Sequence, residues 1–186
     1  MTTAGALPRP VTEAEWEADW SQRDENYELV NGIPTMAPGE SFDNRNAVTE
    51  LLMALRNRLP HPARGLTDFD VRLCELPLTV RRPDVVVVAR PLPGARHALP
   101  NDVLLVAEFV SPSSVEVDWI HKRAEYARAG IPAYLVVDLR PEAHLMALFT
   151  DPSNGTYRDP LGENGEAVTL DLLGERVTIR LEDLNR

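Results

Sequence analysis

The sequence predicts an α/β domain with a strand core covered on both faces and an N-terminal helix and β-hairpin attached. Three observations carry this. The runs Asp84–Ala89 and Val103–Val110 are apolar without alternation, the first holding four consecutive valines; unalternating β-branched runs belong to strands packed on both sides. Segments of helical periodicity fall between such runs, at Val48, Leu51, Leu52, Leu55 and Leu59 and again after Ser113. Finally, 186 residues with 44% apolar content suit one domain spanning 1–186, a size at which about 70% of the unfolded chain's surface is buried.

Each element has a local cause. Thr12-Glu13-Ala14-Glu15 has capping-box spacing, which predicts a helix from about Glu13 to Trp20 within an acidic N-terminal segment, 1–26. Tyr27–Val30 and Ile33–Met36 flank Asn31-Gly32, a pair that tolerates the positive φ of a tight turn, so a hairpin opens the 27–150 core. Asp43 is the expected cap of the next helix, whose leucine stripe turns to one side until Pro60-His61-Pro62 stops it. Phe69–Cys74, Asp84–Ala89 and Val103–Val110 are the expected strands, followed by a helix capped by Ser113 or Ser114 and running to about Ala129. Gly130 ends it, as a residue free to adopt the left-handed conformation. Ala133–Asp138 and His144–Thr150 are two more strands around an Arg140-Pro141-Glu142 turn. The 151–186 extension carries strand-like pieces near Ala167–Leu170 and Val177–Leu181.

Composition excludes several classes. No apolar stretch approaches the roughly 18–20 residues of a membrane span. The start lacks a basic segment followed by an apolar one, and the single Cys74 cannot form an intrachain disulfide; together these predict a reduced, cytoplasmic compartment. The net charge of −10 opposes broad adhesion to nucleic acid, which depends on neutralising phosphates. Only residues 51–100 are net basic, with eight arginines against four acids. Of these, Arg81 and Arg82, beside Pro83-Asp84, are the candidate nucleic-acid contacts. No phosphate loop, dinucleotide-binding glycine pattern, nucleophilic-serine elbow or paired-histidine metal motif occurs.

The chemistry concentrates elsewhere. Asp84 heads the valine run and Glu108 interrupts an otherwise apolar strand, although buried carboxylates are avoided unless something needs them. Two carboxylates from neighbouring strand ends suit a hard cation such as Mg²⁺, or Mn²⁺, with waters and a phosphate completing the shell. Lys122, on the following helix, is the only lysine beside 18 arginines. Where Arg serves as the general cation, a retained Lys suggests a need for a compact ammonium. Such a lysine orients or deprotonates water and neutralises charge developing on a phosphate. As an alternative, Asp118 and Lys122 four apart would form a surface pair contributing only about 0.2–0.5 kcal/mol.

The ordered set YELVNG, RPDVVVV, VAEFVSPSS, Asp118, Lys122, Tyr126 and AGIPAYLVVD resembles the Uma-two family of proposed endonucleases, within the restriction-endonuclease-like PD-(D/E)XK superfamily. The resemblance spans roughly Tyr27 to Phe149. It implies a mixed central β-sheet flanked by helices and a metal-dependent nuclease site. In it Asp84 is the aspartate of the PD pair, Glu108 the second acid, and Lys122 a lysine displaced onto the next helix. Glu28, Asp118 and Tyr126 are implied supporting residues, with Glu28 a further metal or positioning group. Two departures stand out. Val110 occupies the superfamily's usual lysine position, two residues after the acid, and Asn44 stands where members often carry histidine.

The expected function is Mg²⁺-dependent hydrolysis of DNA phosphodiester bonds. Asp84 and Glu108 would hold the metal, Lys122 would activate water, and homodimerisation would serve the cutting of two strands. The alternatives are an interaction protein that retains the nuclease scaffold, suggested by the charge and the two departures, and a metal-dependent hydrolase of a smaller phosphodiester.

Overall fold

The structure, a computed structural model, describes residues 9–23, 25–37, 39, 41–158 and 165–184. The elements are α1 (Glu13–Ala18), β1 (Tyr27–Val30), β2 (Ile33–Met36), α2 (Phe42–Arg56), β3 (Arg64–Leu66), β4 (Asp70–Glu75), β5 (Leu78–Arg81), β6 (Val85–Val88), β7 (His97–Ala98), β8 (Val103–Phe109), a π-helical stretch (Val117–Lys122) leading into α3 (Arg123–Ala129), β9 (Ala133–Asp138), β10 (Leu145–Thr150), β11 (Ala167–Leu172) and β12 (Glu175–Arg180).

Local signals act as the sequence predicts at several points. Thr12 and Glu15 form the reciprocal capping box. α1 ends at Ala18 and gives way to a 3₁₀ turn over Trp20–Gln22 rather than running to Trp20. Asn31 and Gly32 take positive φ of 52° and 80°, and the hairpin closes with Val30 paired to Ile33. Gly130 adopts φ 77°, and the Ile131 N–H donates back to the Tyr126 carbonyl at 3.0 Å. Two caps differ from expectation. Ser41, not Asp43, caps α2, its hydroxyl accepting from the Asn44 N–H, because the helix begins one residue before Asp43. The Ser114 carbonyl opens the third helix by accepting from the Asp118 N–H, while its hydroxyl accepts from the Ser111 N–H outside the helix.

The expected mixed sheet is present, ordered β10-β9-β8-β6-β3, with β8 and β9 parallel and the other pairs antiparallel. A second mixed sheet, β2-β1-β5-β4-β7, lies beside it. Its strands β5 and β7, and the first sheet's edge strand β3, are not among the sequence-predicted strands. They are two to four residues long, too short for periodicity to register, and β5 joins β1 through the distant Leu29–Val80 pair.

The valine run shows why it does not alternate. Val85 and Val87 pack with Leu105, Ala107 and the α2 residues Leu51 and Leu55 on one face. Val86 and Val88 pack with Val106, Tyr126 and the β4 residue Val71 on the other. Each fully buried Val or Leu contributes on the order of 1.5–3 kcal/mol, so both faces require apolar side chains. Val168, Leu170, Val177 and Ile179 of the β11–β12 hairpin complete the first of these two clusters. α1 docks on the second sheet through Trp16 against Leu29, Leu78 and Val80.

Candidate active site

Strand register brings the two expected carboxylates face to face. Val85 pairs with Ala107, so Asp84, one residue earlier, stands opposite Glu108, one residue later; antiparallel neighbours at such positions share a face of the sheet. The Asp84 Oδ2 accepts the Phe109 N–H at 2.6 Å, fixing the aspartate to the strand that carries Glu108. The alternation of β6 and β8 puts this pair on the face occupied by Tyr126, whose hydroxyl donates to Glu108 Oε1 at 2.6 Å.

Lys122 completes the cluster from the helix above. Its Nζ lies 2.9 Å from Glu108 Oε2, 3.4 Å from Asp118 Oδ1 and 3.6 Å from Glu28 Oε1. Asp118 and Lys122 both fall within the π-helical stretch, a wider turn that often marks a functional segment. They are 2% and 8% exposed, so the surface-pair alternative does not describe them. The only lysine of the chain is surrounded by three buried carboxylates.

Electrostatics follow from this crowding. Burial pushes Glu108 up to about 7; the Lys122 ammonium opposes the rise, and Asp118 and Glu28 add to it. Burial likewise raises Asp118, against Lys122 and the Ser114 hydroxyl that bonds it. Lys122 is raised, because burial, which would lower it, is outweighed by Glu108, Glu28, Asp118 and Asp84. Glu28 is lowered despite its burial, by Lys122, Arg81 and the Arg82 N–H. The result is a firmly protonated lysine and a glutamate that retains its proton toward neutral pH.

The supporting residues differ in placement. Both oxygens of Glu28 are engaged, Oε2 by Arg81 at 2.6 Å and Oε1 by the Arg82 N–H at 3.1 Å, with Lys122 on the same side. Glu28 thus contacts Arg81, the Arg82 backbone and Lys122 at once. Arg81, expected to face nucleic acid, is 4% exposed and donates through Nε and NH2 to Glu125, at 2.7 and 2.9 Å. No face of it is left for a phosphate. Arg82 lines the cleft, bound to Asp70 at 2.7 Å, and stays partly open. Asn44, the departure from histidine, lines the same cleft with Asp84, Glu108 and Lys122. Glu125 was not legible in the sequence, where it reads as an ordinary helix-surface acid. Only the second sheet's β5 brings Arg81 to it.

Asp84, Glu108 and Asp118 offer oxygen donors alone, the type that hard divalent cations take. With all groups ionised, Asp84, Glu108 and Asp118 exceed Lys122 by two negative charges, and oxygen-only donors suit Mg²⁺ or Mn²⁺. Among the described residues, the group of three whose ligand atoms all lie within 4.8 Å of one another is Glu13, Glu17 and His97; the Asp84, Glu108 and Asp118 set is more widely spaced than that. Glu13 is already bound by Arg72.

Comparison with known proteins finds relatives both by family and by fold. The Uma2 family, described as "Putative restriction endonuclease", matches residues 14–182. A crystal structure from Anabaena variabilis, described as "a putative nuclease belonging to DUF820", shares the fold with a TM-score of 0.67 at 13% identity, covering 94% of this chain and 97% of its own. No curated protein matches. Among the described residues, no helix is long and apolar enough to cross a membrane.

Proposed function

This chain belongs to the Uma2 family, and from that premise we propose that it is a metal-dependent endonuclease that hydrolyses DNA phosphodiester bonds in the cytoplasm. The family's description and that of the structural neighbour both concern nucleases. The observation that carries the reading is the convergence of Asp84 and Glu108, from facing strand positions, on the side of the chain's single lysine.

Asp84 and Glu108 would hold Mg²⁺ or Mn²⁺, which as a Lewis acid polarises the phosphate and makes its bound water acidic. Everything else is done by the chain. The Asp84 carboxylate is aimed by the Phe109 N–H, and that of Glu108 by Tyr126. Lys122, held protonated, orients the attacking water and offsets negative charge developing on the phosphorane oxygens. Asp118 and Glu28 keep the ammonium in place. Arg82, at the cleft edge, is the residue available to a backbone phosphate. A homodimer would place two such sites on two strands.

The tightness with which three carboxylates hold Lys122 favours one second reading, an interaction protein on a nuclease scaffold, with the lysine serving only to neutralise the acids. Cleavage of single-stranded, duplex and supercoiled DNA separates the two, measured with Mg²⁺, Mn²⁺ or EDTA beside Asp84→Ala and Lys122→Ala. Metal-dependent nicking that both variants lose supports the nuclease. Absence of cleavage by folded protein, with no metal uptake by calorimetry, rejects it. A short dinucleotide diester in the same assay tests the smaller substrate.

A further inference from the structure

A lysine side chain is a poor fixture by itself: four flexible methylenes end in a charge with three rotatable donors. Lys122 has rival carboxylates on different elements, Glu108 on β8 at 2.9 Å and Asp118 within its own helical turn at 3.4 Å. Something must decide where between them the ammonium rests.

Glu28 supplies a third point, and Glu28 is itself held from behind. The Arg81 guanidinium is 4% exposed, and each of its three nitrogens donates to a carboxylate. Its NH1 donates to Glu28 Oε2 at 2.6 Å, while Nε and NH2 grip both oxygens of Glu125 at 2.7 and 2.9 Å. A planar fork bound along one edge cannot rotate, so its third donor points in one direction. With Oε2 taken, Glu28 presents Oε1 to the Arg82 N–H and to Lys122. Glu125 lies three residues after Lys122, across the junction between the π-helical stretch and α3. The chain of charges therefore leaves this helix at Lys122 and returns to it at Glu125, passing through β1 and β5.

We propose that Glu125 and Arg81 are positioning residues, forming with Glu28 a ladder of alternating charge, buried at Glu28 and Arg81 and partly exposed at Glu125, that closes on the helix bearing Lys122 and fixes its ammonium beside Glu108. The consequence for catalysis rests on the nuclease reading above; the ladder's effect on Lys122 does not.

Because Lys122 is the only lysine, protein made with ¹⁵N-labelled lysine has a single side-chain ammonium signal. The test compares that signal in the full chain and in Glu125→Gln, which keeps the side chain's volume and removes its charge. Glu116→Gln serves as a control that removes a charge from an exposed position just before the π-helical stretch. The expected result is a displaced, broadened Lys122 signal with faster ammonium proton exchange in Glu125→Gln, unchanged backbone resonances away from the ladder, and no effect in Glu116→Gln. If the wild type cleaves DNA, Glu125→Gln is expected to lower kcat by about tenfold to a hundredfold, the penalty of a reacting group misplaced by about 1 Å, with KM little changed. An unmoved Lys122 signal in folded Glu125→Gln overturns the proposal, even where the wild type proves to be a nuclease. A displaced signal in a protein that cleaves nothing upholds the ladder and rejects the nuclease. Should Glu125→Gln not fold, Glu125→Asp keeps the charge but cannot reach both Arg81 donors: displacement of the signal supports the ladder, and its absence overturns it.

Discussion

Glu108→Gln tests the electrostatics of the site without needing to know the substrate. The amide preserves shape and an acceptor for the Tyr126 hydroxyl, and removes one negative charge from a buried cluster. In the wild type this carboxyl moves from an ordinary 4.5 to about 7 on folding. At about 1.4 kcal/mol per tenfold change in proton affinity, that displacement corresponds to about 3 kcal/mol. The sign follows from linkage. The folded protein binds the Glu108 proton more tightly than the unfolded chain, so the stability this group contributes is full below pH 4.5 and is lost as pH rises through about 7. Glutamine has no such loss. Urea unfolding of both proteins in EDTA, from pH 4.5 to 8, should show Glu108→Gln gaining on the wild type by about 3 kcal/mol across that window. Subtracting the two curves removes the slopes of groups common to both. A constant difference, or one that shrinks as pH rises, would refute the view that burial raises Glu108 more than Lys122 lowers it. Added Mg²⁺ should then stabilise the wild type above pH 7 more than the variant, by about 2.7 kcal/mol at a hundredfold excess over Kd.

Three further outcomes are expected. Asp84→Ala should lose metal-dependent cleavage and also about 1–3 kcal/mol of stability, because the Phe109 N–H loses its acceptor; Asp84→Asn should lose the cleavage but keep most of the stability in a thermal melt. Tyr126→Phe, which deletes a 2.6 Å bond to a carboxylate, should cost about 1.5–3 kcal/mol at pH 8, where Glu108 is ionised, and less at pH 5; equal losses at both values would contradict the assignment. Gly130→Ala should cost about 1–2 kcal/mol from its φ of 77° alone, since a Cβ there meets nothing within 4 Å, and chemical denaturation should show it with activity unchanged.

The elements legible in the sequence were those with a local cause. The Thr12 box, the Asn31-Gly32 turn and the Gly130 stop are contests among a few neighbouring backbone groups, and they form as the sequence predicts. The candidate acids stood out for the same kind of reason: a charge inside an apolar run is anomalous whatever surrounds it. By contrast, the second sheet depends on pairing such as Leu29 with Val80, far apart in the chain and in strands too short to show a period.

The sequence by itself therefore determined which side chains are out of place, Asp84, Glu108 and the lone Lys122, and the strands and helix that carry them. Tertiary structure decided their partners. It set Asp84 opposite Glu108 through strand register, brought Glu28 against both Arg81 and Lys122, and buried Arg81 between Glu28 and Glu125 instead of exposing it to a phosphate. The physical reason is range. Burial cost and backbone preference belong to a residue and its neighbours, whereas a charge's partner is whichever opposite charge the packed sheets bring within about 4 Å, where loss of water makes the interaction strong.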